Sequence, residues 1–389
     1  MTTTASSTAL LRVINERAAL EQIREHGPIS RPELAKNTGL SKPTISLALA
    51  DLERVGLVRT VGQRTGGAGR SAMLYEVSPE AGWVVGVDVG REWVRVALAN
   101  IAGEVVTRRD VRSQARSAAA LMDQIGELVA ELAGGRELTH VVLATPGIHD
   151  HERRRLQLAP NIPGWQKPGV VDKLAERLPC AFTIENDIAL AALGEQAYGL
   201  GRGLQNFTFV SIGTGLGMGV VLGGRLYRGS RGAAGEIGFL PLGGGPDHPG
   251  GQLESVLSGP GLVATAQRYG MKGRWTPETI YAAARQGDEN ALQIVGEEAA
   301  NISRALASVI AVLDPELIVL GGGLGHTGAD LLLEAVRDRL ESMTPLPPPP
   351  VELSALEGEA IVRGAVATAL GIARDALFSR AVAEPVGAV

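Results

Sequence analysis

The chain has 389 residues, 45% hydrophobic and 20% charged, with a formal net charge of -5. That composition describes an ordinary soluble protein with room for two or three domains, each with its own core. The single cysteine, Cys180, excludes an internal disulfide and a multi-cysteine zinc site, and no apolar run reaches the length of a membrane span.

The first informative pattern lies at residues 30–56. Ser30 followed by Glu33 makes a capping box, Ile29 and Leu34 can form its hydrophobic staple, and Pro32 falls in the first turn. Gly39 supplies a tight turn, and Ser41 caps a second helix with Pro43 in its first turn. Leu40, Ile45, Leu49 and Leu52 recur at near-helical spacing and predict a buried stripe. Lys42, Thr44, Ser46 and Leu47 lie off that stripe and are short or basic, which suits a helix entering a major groove.

Gly56 stops this helix. Leu57–Val61 and Met73–Val77 read as two short strands, and the glycine-rich loop Gly62–Arg70 between them carries Arg64 and Arg70. Such a loop fits a wing that touches phosphates or the minor groove. A small helical bundle with a linker would fit the two caps alone; the full order of helix, turn, helix, strand, basic loop, strand favours a winged helix. Residues 31–70 carry Arg31, Lys36, Lys42, Arg54, Arg59, Arg64 and Arg70 against Glu33, Asp51 and Glu53. That local excess of +4 suits phosphate contact and also suits a solvated surface. The DNA-contacting candidates are Arg31, Ser41, Lys42, Thr44, Ser46, Arg64 and Arg70.

A domain boundary is expected near residue 80, dividing a winged helix-turn-helix at 1–80 from an α/β body at 81–389. Residues 84–88 and 93–99 read as a hairpin, 118–133 as a helix and 140–144 as a buried strand. Val171–Leu178 reads as helical, Ala181–Ile184 as a strand and Ile188–Tyr198 as helical. Phe207–Ile212, the turn Gly213-Thr214-Gly215 and Gly217–Leu222 then repeat the opening strand–glycine turn–strand unit about 120 residues on, which suggests two similar halves around a cleft. Asn290–Leu313 reads as a long helix, Leu317–Leu320 as a strand and Gly321–Gly323 as a turn. Pro345–Pro350 is an extended connector, and Glu359–Phe378 is a final helix with a frayed tail after Arg380.

These residues resemble the ROK family (repressors, open reading frames and kinases), and in particular its regulators of the xylose-repressor type, from about residue 10 to 378. The motifs are Ile212–Gly219, Gly229–Gly238, Glu185-Asn186-Asp187 with Ala191-Ala192, and Leu313–Glu316 leading into Gly321–Gly323. The resemblance implies an actin-like, ribonuclease-H-like body of two lobes with a sugar-kinase fold, behind a winged helix. It makes Asp187 a vestigial base: in the kinases the matching aspartate takes the sugar hydroxyl's proton during attack on the terminal phosphate. Asn186, Glu236, Glu254 and Asn161 match sugar-binding positions, since carboxylates and amides hydrogen-bond adjacent hydroxyls well. Gly147 would let backbone approach the ligand. Asn161 taken alone also fits a turn.

Two departures shape the functional expectation. The kinases carry Asp-x-Gly-Gly-Thr at the first phosphate loop, where this chain has Asp88-Val89-Gly90-Arg91-Glu92. Added bulk and the Glu92 charge oppose a triphosphate, although Arg91 could attract one. The second loop, Gly213-Thr214-Gly215, is intact and could be a retained turn. The family's zinc histidine and cysteines are replaced by Phe239, Gly245, Asp247 and Gln252, so no metal is expected. Asp247-His248 and His149-Asp150-His151 read as solvated rather than as metal sites.

The expectation is a cytoplasmic, non-enzymatic repressor of carbohydrate genes, since Met1–Ser7 lacks a signal-peptide core. Its partners would be an operator in double-stranded DNA and a sugar or sugar derivative. It would act as a homodimer or homotetramer, with neither ATP nor zinc. An active sugar kinase with an appended DNA-binding domain is the alternative. A scaffold binding neither DNA nor sugar would leave the capped recognition helix and the polar cluster unexplained.

Overall fold

The computed structural model describes residues 3–65, 71–150, 153–159, 162–241, 251–344 and 346–383. Arg70, His151, Asn161, Gly245, Asp247 and His248 lie outside the described residues.

The N-terminal unit comprises α1 (Thr3–His26), β1 (Ile29–Ser30), α2 (Arg31–Thr38), α3 (Lys42–Arg54), β2 (Val58–Thr65) and β3 (Ser71–Val77), with sheet order β1-β3-β2. The local signals act as expected. The Ser30 N–H and hydroxyl donate to Glu33 Oε2 at 2.9 and 2.6 Å, Gly39 is left-handed at φ +70, and Ser41 Oγ accepts from the Thr44 N–H at 3.3 Å. Ile45, Leu49 and Leu52 are buried against Leu34, Tyr75 and Ile23. Leu40 packs at the edge of that core. The sequence reading places no helix before Ser30, yet α1 contributes Ala19 and Ile23 to the core. Its apolar stripe is short and broken by Arg12, Glu16 and Arg17, so its periodicity is faint. It is fixed instead by distant partners: Arg12 reaches Asp51 on α3 at 2.6 Å.

A 3-10 turn at Pro79–Ala81 leads into the body. Its first lobe holds β4 (Trp83–Val89), β5 (Trp93–Asn100), β6 (Val105–Arg112), α4 (Ala118–Ala133), β7 (Leu138–Thr145), the hairpin β8 (Ile148–Asp150) and β9 (Arg155–Gln157), α5 (Val170–Ala175), β10 (Phe182–Asn186) and α6 (Asp187–Tyr198). The second lobe holds β11 (Phe207–Ile212), β12 (Leu216–Leu222), β13 (Arg225–Leu226), α7 (Glu254–Leu257), α8 (Gly259–Arg268), α9 (Pro277–Arg285), α10 (Glu289–Leu313), β14 (Leu317–Gly321), α11 (Gly322–Thr327), α12 (Ala329–Met343) and β15 (Val351–Leu353). The chain returns to the first lobe as α13 (Ala360–Ala383).

The two large sheets share one topology. The first runs β6-β5-β4-β7-β10 and the second β13-β12-β11-β14-β15. Each begins with a three-stranded antiparallel meander and adds two strands parallel to the meander's first strand. The repeat suggested by two glycine turns therefore extends over all five strands of both lobes. α4 and α5 cover one face of the first sheet and α13 covers the other. α8, α9, α10 and α12 bury one face of the second.

β6 carries no strand signal in the sequence, because Arg108, Arg109, Asp110 and Arg112 hide its alternation; charge is common on an edge strand, where it discourages pairing with other chains. Gly321–Gly323 is not a simple turn: α11 starts at Gly322, whose φ of +83 and contact with the Ile212 backbone leave no room for a side chain. The last helix continues past Arg380 to Ala383.

Candidate functional site

The parallel strands of the first lobe bring Asp88 and Asn186, with Asp187 next to it, to one end of their sheet. In the first sheet Asp88 is paired with Ala144, and Thr145 with Asn186, so β4, β7 and β10 end side by side. Ligands of open α/β sheets gather at such carboxyl ends. Asn186 caps α6: its Oδ1 accepts from the N–H groups of Ile188 and Ala189, both at 2.9 Å, and its Nδ2 donates to the Gly147 carbonyl at 3.1 Å. Gly147 was expected to admit a ligand. Its φ is +89, and a Cβ there would strike the Gln157 and Leu158 backbone. The buried Trp165 indole donates to Thr145 Oγ1 at 2.7 Å and braces the strand end just ahead of Gly147.

Carboxylates dominate the cleft. Asp187 starts α6, and burial pushes its carboxyl up to about 7, helped by the charges of Asp88 and Glu236 and opposed by the Ile188 N–H. Asp88 is buried and its pKa is also raised by burial, partly offset by Arg95 at 2.8 Å. Glu236, from the second lobe, is raised by burial and then by Glu254. Glu254 Oε2 accepts from the Leu216 N–H at 2.9 Å and lies 3.0 Å from where a Gly215 Cβ would stand. Carboxylates of both lobes thus lie close enough for their charges to act on one another. Arg228 reaches across to Glu185 at 2.6 Å, and Glu185 Oε1 accepts from the Asn186 N–H at 3.1 Å.

Sequence reasoning missed Arg95, Trp165 and the Glu185–Arg228 pair. Arg95 was within reach, because it lies directly opposite Asp88 in the β4–β5 hairpin register. Arg228 and Glu185 come from different lobes, and no local pattern joins them.

The two glycine loops differ. Gly90 opens the β4–β5 turn and donates its N–H to the Trp93 carbonyl at 2.9 Å. Arg91 and Glu92 are exposed at the turn, with Glu92 3.5 Å from Arg112 and Arg112 over the Trp93 ring at 4.3 Å. In the other lobe the Gly213 N–H donates to the Gly215 carbonyl at 3.0 Å, the Gly213 carbonyl accepts from the Gly259 N–H at 2.8 Å, and Thr214 is exposed. For zinc, Phe239 offers no donor atom and Gln252 no thiolate. Among the described residues no group of three or more His, Cys, Asp or Glu could hold a metal ion.

On the N-terminal unit, Lys42 is exposed, Thr44 and Ser46 are half-buried, and Leu47 is 68% exposed on the outer face of α3. Thr44 Oγ1 lies 2.8 Å from Ser41 Oγ, so these two hydroxyls partly satisfy each other. Arg64 pairs with Glu33 at 2.8 Å and ties β2 to the start of α2, while Arg31 sits over the Tyr75 ring at 5.5 Å. Of the seven groups, Arg31, Lys42, Thr44, Ser46 and Arg64 are carried by α2, α3 and β2, Ser41 caps α3, and Arg70 is not among the described residues.

A winged helix ahead of a two-lobed body with duplicated sheets and a carboxylate-lined cleft defines a class: a DNA-binding module joined to a sugar-kinase-like domain. The ROK family profile matches residues 84–371, and a winged helix-turn-helix DNA-binding profile matches residues 14–59. The chain belongs to the ROK family. A glucokinase of Halalkalibacterium halodurans is 32% identical over 284 residues, 67% of this chain and 86% of that protein. A xylose repressor of Caldicellulosiruptor bescii is 26% identical over 383 residues, 92% of this chain and 96% of that protein. The crystal structure of a ROK family transcriptional regulator, a homologue of the E. coli MLC protein, has the same fold, with a TM-score of 0.79 at 22% identity over 96% of this chain and all of that one.

Proposed function

We propose that the protein is a cytoplasmic transcriptional regulator, a repressor of carbohydrate genes, whose operator affinity is set by a sugar or sugar derivative in the cleft between the lobes. The observation that carries this reading is one chain holding both an exposed recognition helix, with Lys42 and Leu47 outward, and the converging Asn186, Asp187, Glu236 and Glu254. The repressor relative, aligned over both units, supports it. Residues 1–80 would read DNA and residues 81–389 would sense the ligand. Two copies would engage two half-sites of a palindrome. No helix among the described residues is long and apolar enough to cross a membrane.

We assign no kinase activity. An ATP phosphate at the first loop would meet the Glu92 carboxylate and a side chain at Arg91 where the kinases have glycine; like charge and lost backbone access both oppose it. A mobility-shift assay tests the regulator reading: a palindromic duplex should be retarded, and a bound sugar should change that affinity.

One observation favours a second reading, an active sugar kinase. Asp187 near 7 is poised for proton transfer at neutral pH, and the glucokinase relative shares the body. ADP release with hexoses, pentoses and amino sugars, abolished in Asp187→Ala, would establish it.

A further inference from the structure

We infer that α13 transmits the state of the sugar cleft to the winged helix, with Phe378 as the positioning residue at the joint. The inference rests on the sensor reading above and assigns the route of its regulation.

α13 belongs to two cores at once. Along most of its length it covers the first lobe's sheet, burying Val362, Val366 and Leu370 against Val84 and Val142. Its end leaves that core. Phe378 is 5% exposed and lies among Ala19, Ile23 and Tyr75 of the winged helix, while Leu377 packs against both clusters. The winged helix is therefore completed by a side chain more than 300 residues away in sequence.

The other end of the route begins in the cleft. α6 carries Asn186 as its cap and Asp187 as its first residue. It crosses α13 at two glycines: a Cβ on Gly194 would collide with the Ala360 carbonyl, and one on Gly364 with the Leu190 carbonyl. Backbone meets backbone there, with no side chain between to absorb a shift by changing rotamer. A tilt of α6 caused by a ligand at Asn186 and Asp187 must move α13 or open the contact, because packed interiors deform little.

At the joint the coupling is tightened by charge. Arg17 of α1 ion-pairs with Asp375 of α13, and its guanidinium lies over the Phe378 ring at 5.9 Å. Arg374, one residue before, donates twice to the Ile101 carbonyl, at 3.0 and 2.8 Å, and fixes α13 to the first lobe. Phe378 thus stands between a helix end anchored on the lobe and the core that sets the angle of α3.

Fluorescence anisotropy on the full chain, with a duplex it selects from a random pool, tests this. D-xylose, D-glucose and N-acetyl-D-glucosamine are the probes, with sugar binding followed separately by thermal shift. In the wild type a bound sugar changes duplex affinity by about 5- to 150-fold. Phe378→Ala keeps the sugar's thermal shift but reduces that change to below about twofold, and Phe378→Leu restores most of it. Asp375→Ala, which removes the exposed pair with Arg17 and leaves the buried contacts of α13 in place, lowers the response measurably. A wild-type response in folded Phe378→Ala, or in Asp375→Ala should the first variant not fold, overturns the inference. If no probe sugar moves the wild type, the sensor reading fails for these sugars, and the route is read without sugar. Gly364→Ala then shifts duplex affinity in the wild-type background and not in Phe378→Ala; equal shifts in both overturn it.

Discussion

Replacing Asp187 by Asn isolates the cost of holding a carboxylate in the cleft. Burial first, and then Asp88 and Glu236, raise this carboxyl from 3.8 to about 7. A carboxyl raised on folding favours the protonated native state. Its stabilising contribution is full below the unfolded value of 3.8 and is lost as pH climbs through about 7. The whole span corresponds to about 4 kcal/mol at most, and the part falling between pH 5 and pH 8 to roughly 2–3 kcal/mol. Asp187 keeps some opening to solvent, and screening brings the expected figure to about 1–2 kcal/mol. Asn fills the same space and still accepts from the Ile188 N–H, so it removes the charge and little else. Urea unfolding of variant and wild type at both pH values measures this, because other titrating groups cancel in the difference. The variant should gain about 1–2 kcal/mol on the wild type between pH 5 and pH 8. A difference unchanged with pH would refute the burial argument and, with it, the crowded acidic cleft.

Three further outcomes follow from the same structure. Lys42→Ala should weaken duplex binding similarly across sequences and lower the slope of log affinity against log salt by about one, measured by anisotropy from low to moderate salt. Asn186→Ala removes the cap of α6 and its bond to the Gly147 carbonyl; it should cost about 1–2 kcal/mol in urea unfolding and abolish any sugar-induced thermal shift. Gly235→Ala meets a φ of +93 and a collision with the Met218 carbonyl. It should destabilise the second lobe by about 1–3 kcal/mol or more and displace Glu236, seen as a lowered melting temperature with lost sugar binding.

What the sequence disclosed was local. Ser30–Glu33, Gly39 and Ser41 write the helix-turn-helix within a dozen residues, because caps and turns are satisfied by near neighbours. The β4–β5 and β11–β12 hairpins were legible for the same reason. α1 was not, since its place depends on Asp51 and on Phe378, far away in the chain. Nothing in the helical stretches 188–198 and 359–378 marks Gly194 and Gly364; their role rests on two backbones that touch across the fold. The cleft was half legible. The matching motifs named Asn186, Asp187, Glu236 and Glu254, but neither the Arg95 partner of Asp88 nor the Arg228 bridge between lobes follows from motif residues. At Gly147 the sequence marks a glycine, and only the structure shows the Gln157 and Leu158 backbone that a Cβ there would meet.

The central claim is that occupancy of the carboxylate cleft governs DNA affinity without phosphate transfer. Duplex binding and ADP release, followed in one reaction with sugar, Mg-ATP and the full chain, test it most directly. The account predicts that a sugar binding at Asn186 and Asp187 changes duplex affinity at least about fivefold while ADP stays at background. Steady ADP release that Asp187→Ala abolishes, with duplex affinity indifferent to sugar, would contradict it.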